Sequence, residues 1–352
     1  MSINNRYEFM FFIECINGNP NGDPDMGNCP RIDPEDMHGY ITDVAIKRRI
    51  RNYVQMAYGD EDGMDIIIQD STNTNRFIAE VKEKNAGIKP DDKSKEGVKK
   101  GREAACKRFF DVRTFGGVLS TGPNAGQVRG PVQLTFGKSI DIICIQDISI
   151  TRMGKAQELK DKKLEKTVEN YKKLENETDD DKQQTIGRKQ FISYGLYEVR
   201  GFISANLAHY ETNSKNENGT GFDERDLKIL FESILNMYEH DRSASKGQMS
   251  VISPLIIFQH VGTDTNEQQR QKQAVIGCAP AHKLFDLVEI KRKSDIKLAR
   301  NYKDYDISIN VNEIPNGIKV GLKEDAFGEI NWVDKDKENC GISQNSWIKI
   351  RE

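Results

Sequence analysis

Cations gather at three places in this 352-residue chain in patterns that suit phosphate contacts. Lys47, Arg48 and Arg51 stand one, three and four residues apart and project together from a helix, with Arg49 turned elsewhere. Between residues 42 and 58 the cations at 47, 48, 49 and 51 face a single anion, Asp43, a local charge of +3 in a chain of net charge −3. At 126–131, small residues let a phosphodiester approach the backbone amides, Arg129 can pair with phosphate, and Gln127 can reach sugar or base. At 241–247, Arg242, Ser243, Ser245 and Lys246 can close around a phosphate. Each arrangement also has a plain structural account: a solvated helix face, a tight turn before a strand, a polar loop after a helix.

Acid chemistry is the competing possibility. Asp23, Asp25 and Asp33 lie in or just after a turn-rich stretch, where they can hold a divalent metal, activate a ribose hydroxyl, or bond their own backbone. The spacing of Asn17, Asn19, Asn21, Asp23 and Asp25 imitates a calcium loop. Its first three ligands are neutral, Asn28 replaces the closing bidentate Glu, and a strand precedes it, so a calcium site is not expected. A phosphate loop at 137–139 is excluded as well, because Val132 stands where its leading Gly belongs. The five histidines, at 38, 209, 240, 260 and 282, lack ligand spacing. No Ser/His/Asp or Cys/His set is recognisable.

The elements that must position these groups are legible in outline. A continuous apolar run at 7–16 reads as a buried strand entering a Gly/Pro/Asn loop. That loop leads to a helix over 42–58, with Thr42 as cap, Asp43 in the first turn, and Val44, Ile46, Ile50, Tyr53 and Val54 at helical spacing. Residues 59–100 alternate short apolar runs with a polar stretch at 82–100, part of it expected to be mobile. A second basic patch at 99–113 (net +4) precedes a glycine-rich segment and a strand at 132–136. Residues 155–184 read as one exposed amphipathic helix fading into an acidic loop. Strands are expected at 195–207 and 251–260, a helix at 223–238 between them, and further strands at 306–311 and 317–322.

Composition sets the class. With 36% hydrophobic and 30% charged residues the chain is globular and surface-rich, and its charge distribution matters more than its sum. The six cysteines, at 15, 29, 106, 144, 278 and 340, form no CxxC pair, and Cys15 and Cys144 sit in apolar runs, so buried thiols are expected. No secretory start and no run of about 18 apolar residues is present, which reads as a cytoplasmic chain without a membrane span.

The ordered set at 17–25, 30–33, 42–53, 111–116, 126–133 and 239–245 resembles the crRNA-binding backbone subunit of the type I-C CRISPR Cascade complex, in the Cas7 family of the RAMP superfamily. The resemblance covers roughly residues 5 to 260. It implies an α+β fold: an RRM-like (ferredoxin-like) palm from residues 1–58 and 190–300, a large helical fingers insertion at 59–189, and a β-hairpin thumb at 208–222. Residues 301–352 are left without a role.

The resemblance also implies the function. Copies would polymerise along crRNA, holding its sugar-phosphate backbone and presenting spacer bases for pairing with target DNA in antiviral defence. A carrier of any spacer must leave sequence reading to base pairing. Implied phosphate contacts are Arg31, Lys47, Arg48 and Arg51, with Gln127 and Arg129 as further RNA contacts. Implied partners are crRNA, further copies of the chain, other Cascade subunits, target DNA through the guide heteroduplex and, indirectly, the recruited helicase-nuclease. No catalytic residue, metal or cofactor is expected. The alternative is a metal-dependent ribonuclease of the same superfamily using the loop aspartates. No aromatic RNP signature marks the strands, so base stacking on an RNP motif is not expected there.

Overall fold

The computed structural model describes residues 1–152, 165–176, 185–209, 219–333 and 347–351. Strand β1 (Tyr7–Gly18) is buried along nearly its whole length because both of its faces carry apolar side chains. Phe9, Phe11, Ile13 and Cys15 enter one core; Met10 and Phe12 enter another. This period-2 division between two cores explains why the run reads as continuously apolar. After β1 come a short hairpin, β2 (Gly22–Asp23) and β3 (Cys29–Pro30), then β4 (His38–Ile41) and helix α1 (Asp43–Tyr58).

A helical cluster follows: α2 (Thr74–Glu80), a π turn (Val81–Asn85), α3 (Lys95–Arg108) and α4 (Phe110–Phe115). It closes with a two-stranded ribbon, β5 (Gly116–Val118) and β6 (Gln127–Arg129). This cluster has its own core, built from residues such as Phe77, Ile78, Val81, Ala105, Phe109 and Val128. Next are β7 (Val132–Leu134), β8 (Gly137–Ile142), β9 (Ile145–Arg152), α5 (Val168–Asn176) and the 19-residue β10 (Thr185–Ile203). The chain continues through α6 (Ala205–Ala208), α7 (Glu224–Asn236), β11 (Gln248–His260), α8 (Glu267–Ile276) and α9 (Ala281–Phe285). Strands β12 (Val288–Arg292), β13 (Tyr305–Asn310), β14 (Ile318–Lys323), β15 (Asn331–Trp332) and β16 (Ile348–Arg351) complete the described chain.

The architecture is α+β around one large antiparallel sheet of order β15-β14-β11-β1-β10-β8-β4, with β7 and β9 also paired to β10. Helices α1 and α7 cover one face. Ile46, Ile50 and Val54 meet Leu230, Phe231 and Ile234 there, and Phe231 sets its ring edge-on to Phe9 at 5.5 Å. Buried Glu232 of α7 accepts hydrogen bonds from Tyr53 (2.8 Å) and Tyr58 (2.7 Å) of α1, fixing the two helices to each other. The other face carries α9 and the small sheet β12-β13-β16. Helix α7 starts in a reciprocal box between Asp223 and Asp226. Asp226 also receives a fork of two hydrogen bonds from Arg113 of α4, at 2.7 and 2.8 Å, which ties the helical cluster to the sheet's helical layer.

Several expectations change. Val44 is 68% exposed, because it falls on the side of α1 that looks away from the sheet. Residues 132–152 are strands of the main sheet, so the part of 59–189 with a separate helical core ends near Val128. Lys82, expected in a mobile polar stretch, is fully buried and donates to the carbonyls of Asp92 (2.5 Å) and Asn124 (3.0 Å). In the expected helix over 155–184, residues 153–164 and 177–184 lie outside the described residues, and helix is present at Val168–Asn176. The strand expected at 195–207 begins at Thr185 and stops at Ile203, after which 205–208 turn helical. Cys144 is exposed because it sits at the break between β8 and β9, while Cys15 and Cys106 are buried. Cys340 and the core of the expected thumb, 210–218, lie outside the described residues. The described residues of 301–352 gain a place: β14 extends the main sheet beside β11, and β13 and β16 build the second core.

Candidate nucleic-acid interface

The first loop is pinned against the start of α1. Asn21 accepts a hydrogen bond from the Thr42 N–H at 2.9 Å, and Thr42 in turn caps the helix by accepting from the Ala45 N–H. Arg31 donates its backbone N–H to Asn21 and pairs its guanidinium with Asp23 at 3.1 Å; among the described residues its buried Nε has no partner. Lys47 pairs with Asp43 one turn back at 2.9 Å, and Arg48 donates to the Ile68 carbonyl at 3.3 Å. Arg51 is mostly buried. It holds the fully buried Asp111 at 2.8 Å, and Asp111 also accepts the N–H groups of Ile67 and Ile68. Its chemistry is therefore that of an internal strut between α1 and the helical cluster.

The glycine-rich segment forms the ribbon β5–β6 beside that helix. Gly116 has φ of +78°, and a Cβ there would lie 2.3 Å from the Val128 oxygen. A Cβ on Gly130 would lie 2.1 Å from the Phe115 carbonyl carbon, so two backbones touch where neither residue has a side chain. The result lifts Gln127 and Arg129 outward while Val128 packs into the helical core. Among the described residues neither Gln127 nor Arg129 has a hydrogen-bond or ion-pair partner through its side chain. Lys47 and Arg51 both lie over the Phe115 ring, at 5.6 and 5.2 Å from its centroid. Gln133 bridges the two elements, accepting from Lys47 (3.4 Å) and donating to the Gly130 carbonyl (3.3 Å).

The third cation group packs at the end of β1. The Ser245 carbonyl accepts the Asn19 N–H at 2.8 Å, and the hydroxyls of Ser243 and Ser245 are 3.1 Å apart. Asp241 is shared between Lys246 and Arg49, the latter at 2.7 Å, which is where the turned-away arginine of α1 goes. Burial lowers the Lys246 pKa from its ordinary value, with nearby Arg49 adding to the effect. Arg242 pairs with Glu239 at 3.0 Å and stays half exposed. A run of contacts thus links the 241–247 loop through the first loop to α1 and the ribbon.

The acids are engaged in holding the first loop. Asp23 takes Arg31 and the Asp25 N–H; Asp33 takes the Tyr40 hydroxyl at 2.6 Å and the Glu35 N–H. Hydrogen bonds from Tyr40 and Glu35 hold the Asp33 pKa below the usual carboxylate range. Among the described residues no group of three or more His, Cys, Asp or Glu is arranged to hold a metal ion. No described helix is long and apolar enough to cross a membrane. Asp111, Phe115, Gln133 and Asp241 are residues that sequence reasoning missed as supports of this interface. The only signal was their presence beside the basic and glycine-rich motifs, since their partners are 60 or more residues away for Asp111 with Arg51 and 86 for Gln133 with Lys47.

Comparison with known proteins bears on most of the chain. A curated CRISPR-associated protein Cas7 of Haloferax volcanii is 33% identical over 120 residues, 34% of this chain and 34% of that protein; the chain therefore spans about a third of the length of this relative. Among solved structures, a chain of a CRISPR RNA-guided surveillance complex in a pre-nicking state aligns over 78% of this chain and 83% of its own, with TM-score 0.41 and 14% identity. A chain of another CRISPR RNA-guided surveillance complex aligns over 92% and 93%, with TM-score 0.39 and 10% identity. The family model for CRISPR-associated protein Cas7 matches residues 5–310, from the first core strand to the last residues of β13, and the chain belongs to that family.

Proposed function

We propose that this Cas7-family chain is a crRNA-binding backbone subunit of a type I-C Cascade complex. Its copies polymerise along the guide, grip sugar and phosphate, and leave the spacer bases to pair with target DNA. The observation that carries this reading is the glycine-built ribbon that presents unpaired Arg129 and Gln127 beside the cationic start of α1. Small residues at a close backbone approach and an unneutralised arginine are what a phosphodiester requires.

The order β1, α1, β8, β10, α7, β11, with β11-β1-β10-β8 as spatial neighbours, supports an RRM-like palm. The helical cluster with its separate core is the counterpart of fingers, and the 208–222 loop that of a thumb reaching a neighbouring copy. Arg31, Lys47, Arg48, Arg242, Ser243, Ser245 and Lys246 flank the track as further contacts. In this reading Arg51 acts from within, by setting the pitch of α1 against Asp111. The role is that of a scaffold in the cytoplasm, with the other Cascade subunits, target DNA and the recruited helicase-nuclease as partners, and without catalysis.

Coexpression with a CRISPR array tests it. Uniform guide-length RNA in a large particle, by size-exclusion with mass determination and sequencing, is the expected result; a monomer free of RNA overturns it. Within an RNA-binding preparation, Arg129→Ala is expected to lower the slope of log affinity against log salt by roughly 0.7, almost equally for all spacer sequences. An unchanged slope removes Arg129 from the interface.

A further inference from the structure

Phe136 is 52% exposed although it lies between two strands of the main sheet. The segment joining β7 to β8 pairs with β10 in two registers: Leu134 stands opposite Gly201, yet Lys138 stands opposite Glu198, one residue more on this side than on β10. Thr135 keeps the first register, with its N–H on the Arg200 carbonyl at 2.9 Å, and Gly137 is buried against Val199. The extra residue is Phe136. A bulge of this kind re-aims a side chain, and here it turns a large ring to solvent.

The ring is supported and flanked. Tyr40 meets it edge-on, centroids 6.4 Å apart at 66°, and Tyr40 is itself anchored through its hydroxyl to Asp33. Three residues earlier Gln133 contacts Lys47; two residues later the half-exposed Lys138 pairs with Asp36 at 2.5 Å. Gly137 pairs with Ile41, which leads directly into the cap of α1. A braced, outward aromatic between cations at the edge of a phosphate track has the composition of a single-strand stacking platform.

We infer that Phe136 stacks on one base of the RNA proposed to run along α1. This rests on the RNA-scaffold reading and adds a contact to the base itself. Every base offers a π face, so stacking is tolerant of sequence and leaves the pairing edge free.

Phe136→Ala is expected to weaken binding of an oligouridylate of roughly 8 nucleotides by about 5- to 100-fold at fixed salt, with the salt slope unchanged because no charge is lost. Phe136→Tyr restores most of the affinity, and an abasic oligonucleotide of equal length binds the parent and Phe136→Ala alike. Phe136→Trp gains a fluorophore whose emission the oligouridylate quenches beyond any change in the parent chain. Unchanged affinity in Phe136→Ala, an equal loss for the abasic strand, or no added quenching overturns the inference. So does normal oligonucleotide binding combined with failure to form large particles, which would make Phe136 a contact between copies. A parent chain that binds no RNA overturns the scaffold reading as well; the other outcomes, obtained in an RNA-binding parent, overturn stacking alone.

Discussion

Replacing Arg113 by alanine lowers the free energy of unfolding by about 3–5 kcal/mol, the expected cost of leaving a buried partner charge uncompensated. The side chains of Arg113 and Asp226 are 9% and 3% exposed. The same guanidinium donates to the carbonyls of Cys106 and Lys107, so one truncation strands two acceptors at the end of α3 and a carboxylate on α7. The double variant Arg113→Met/Asp226→Asn keeps a capping side chain for α7 and removes the orphan charge; it is expected to be more stable than Arg113→Ala. Urea unfolding of both variants measures this, and a loss under about 1 kcal/mol in Arg113→Ala would mean that water reaches Asp226.

The second large effect is expected at Gly130. Its alanine variant must place a methyl 2.1 Å from the Phe115 carbonyl carbon, which neither backbone can accept without moving. Overpacking of this kind costs about 1–3 kcal/mol, and the displaced ribbon carries Arg129 and Gln127 with it. Loss of one or two charge-assisted hydrogen bonds to phosphate then reduces RNA affinity by roughly tenfold or more. Gly117→Ala, whose added Cβ would meet only the Leu119 side chain at 3.7 Å, is the matched control and should change little. If both variants bind RNA like the parent, the ribbon is not part of the track.

How far the sequence revealed this arrangement depends on whether a signal was local. The first strand, α1 with its Thr42 cap, α7 and β11 were legible because periodicity and caps are written within a dozen residues. Arg49 turning away from Lys47, Arg48 and Arg51 followed from helix geometry alone, although its partner Asp241 did not. Arg51 looked like a surface cation because nothing near it announces Asp111, sixty residues on. Phe136 read as the last residue of a strand, since a bulge is a difference between two registers and a single strand shows only one. The extent of β10 was missed because its first residues, Thr185 to Phe191, lie beyond the end of β1 and pair with β9, and they include the polar run Arg188, Lys189 and Gln190.

The pairing of the cations has a thermodynamic consequence. Lys47, Arg31, Arg242 and Lys246 each rest against a carboxylate of the same chain: Asp43, Asp23, Glu239 and Asp241. A phosphate that reaches them displaces a tethered anion in place of taking up an open site, and the freed carboxylate stays nearby to compete for the cation. Association at these positions is an internal exchange, so the subunit carries its own counterions and holds its basic face in reserve, with the short reach of a bonded competitor opposing each contact until many form together.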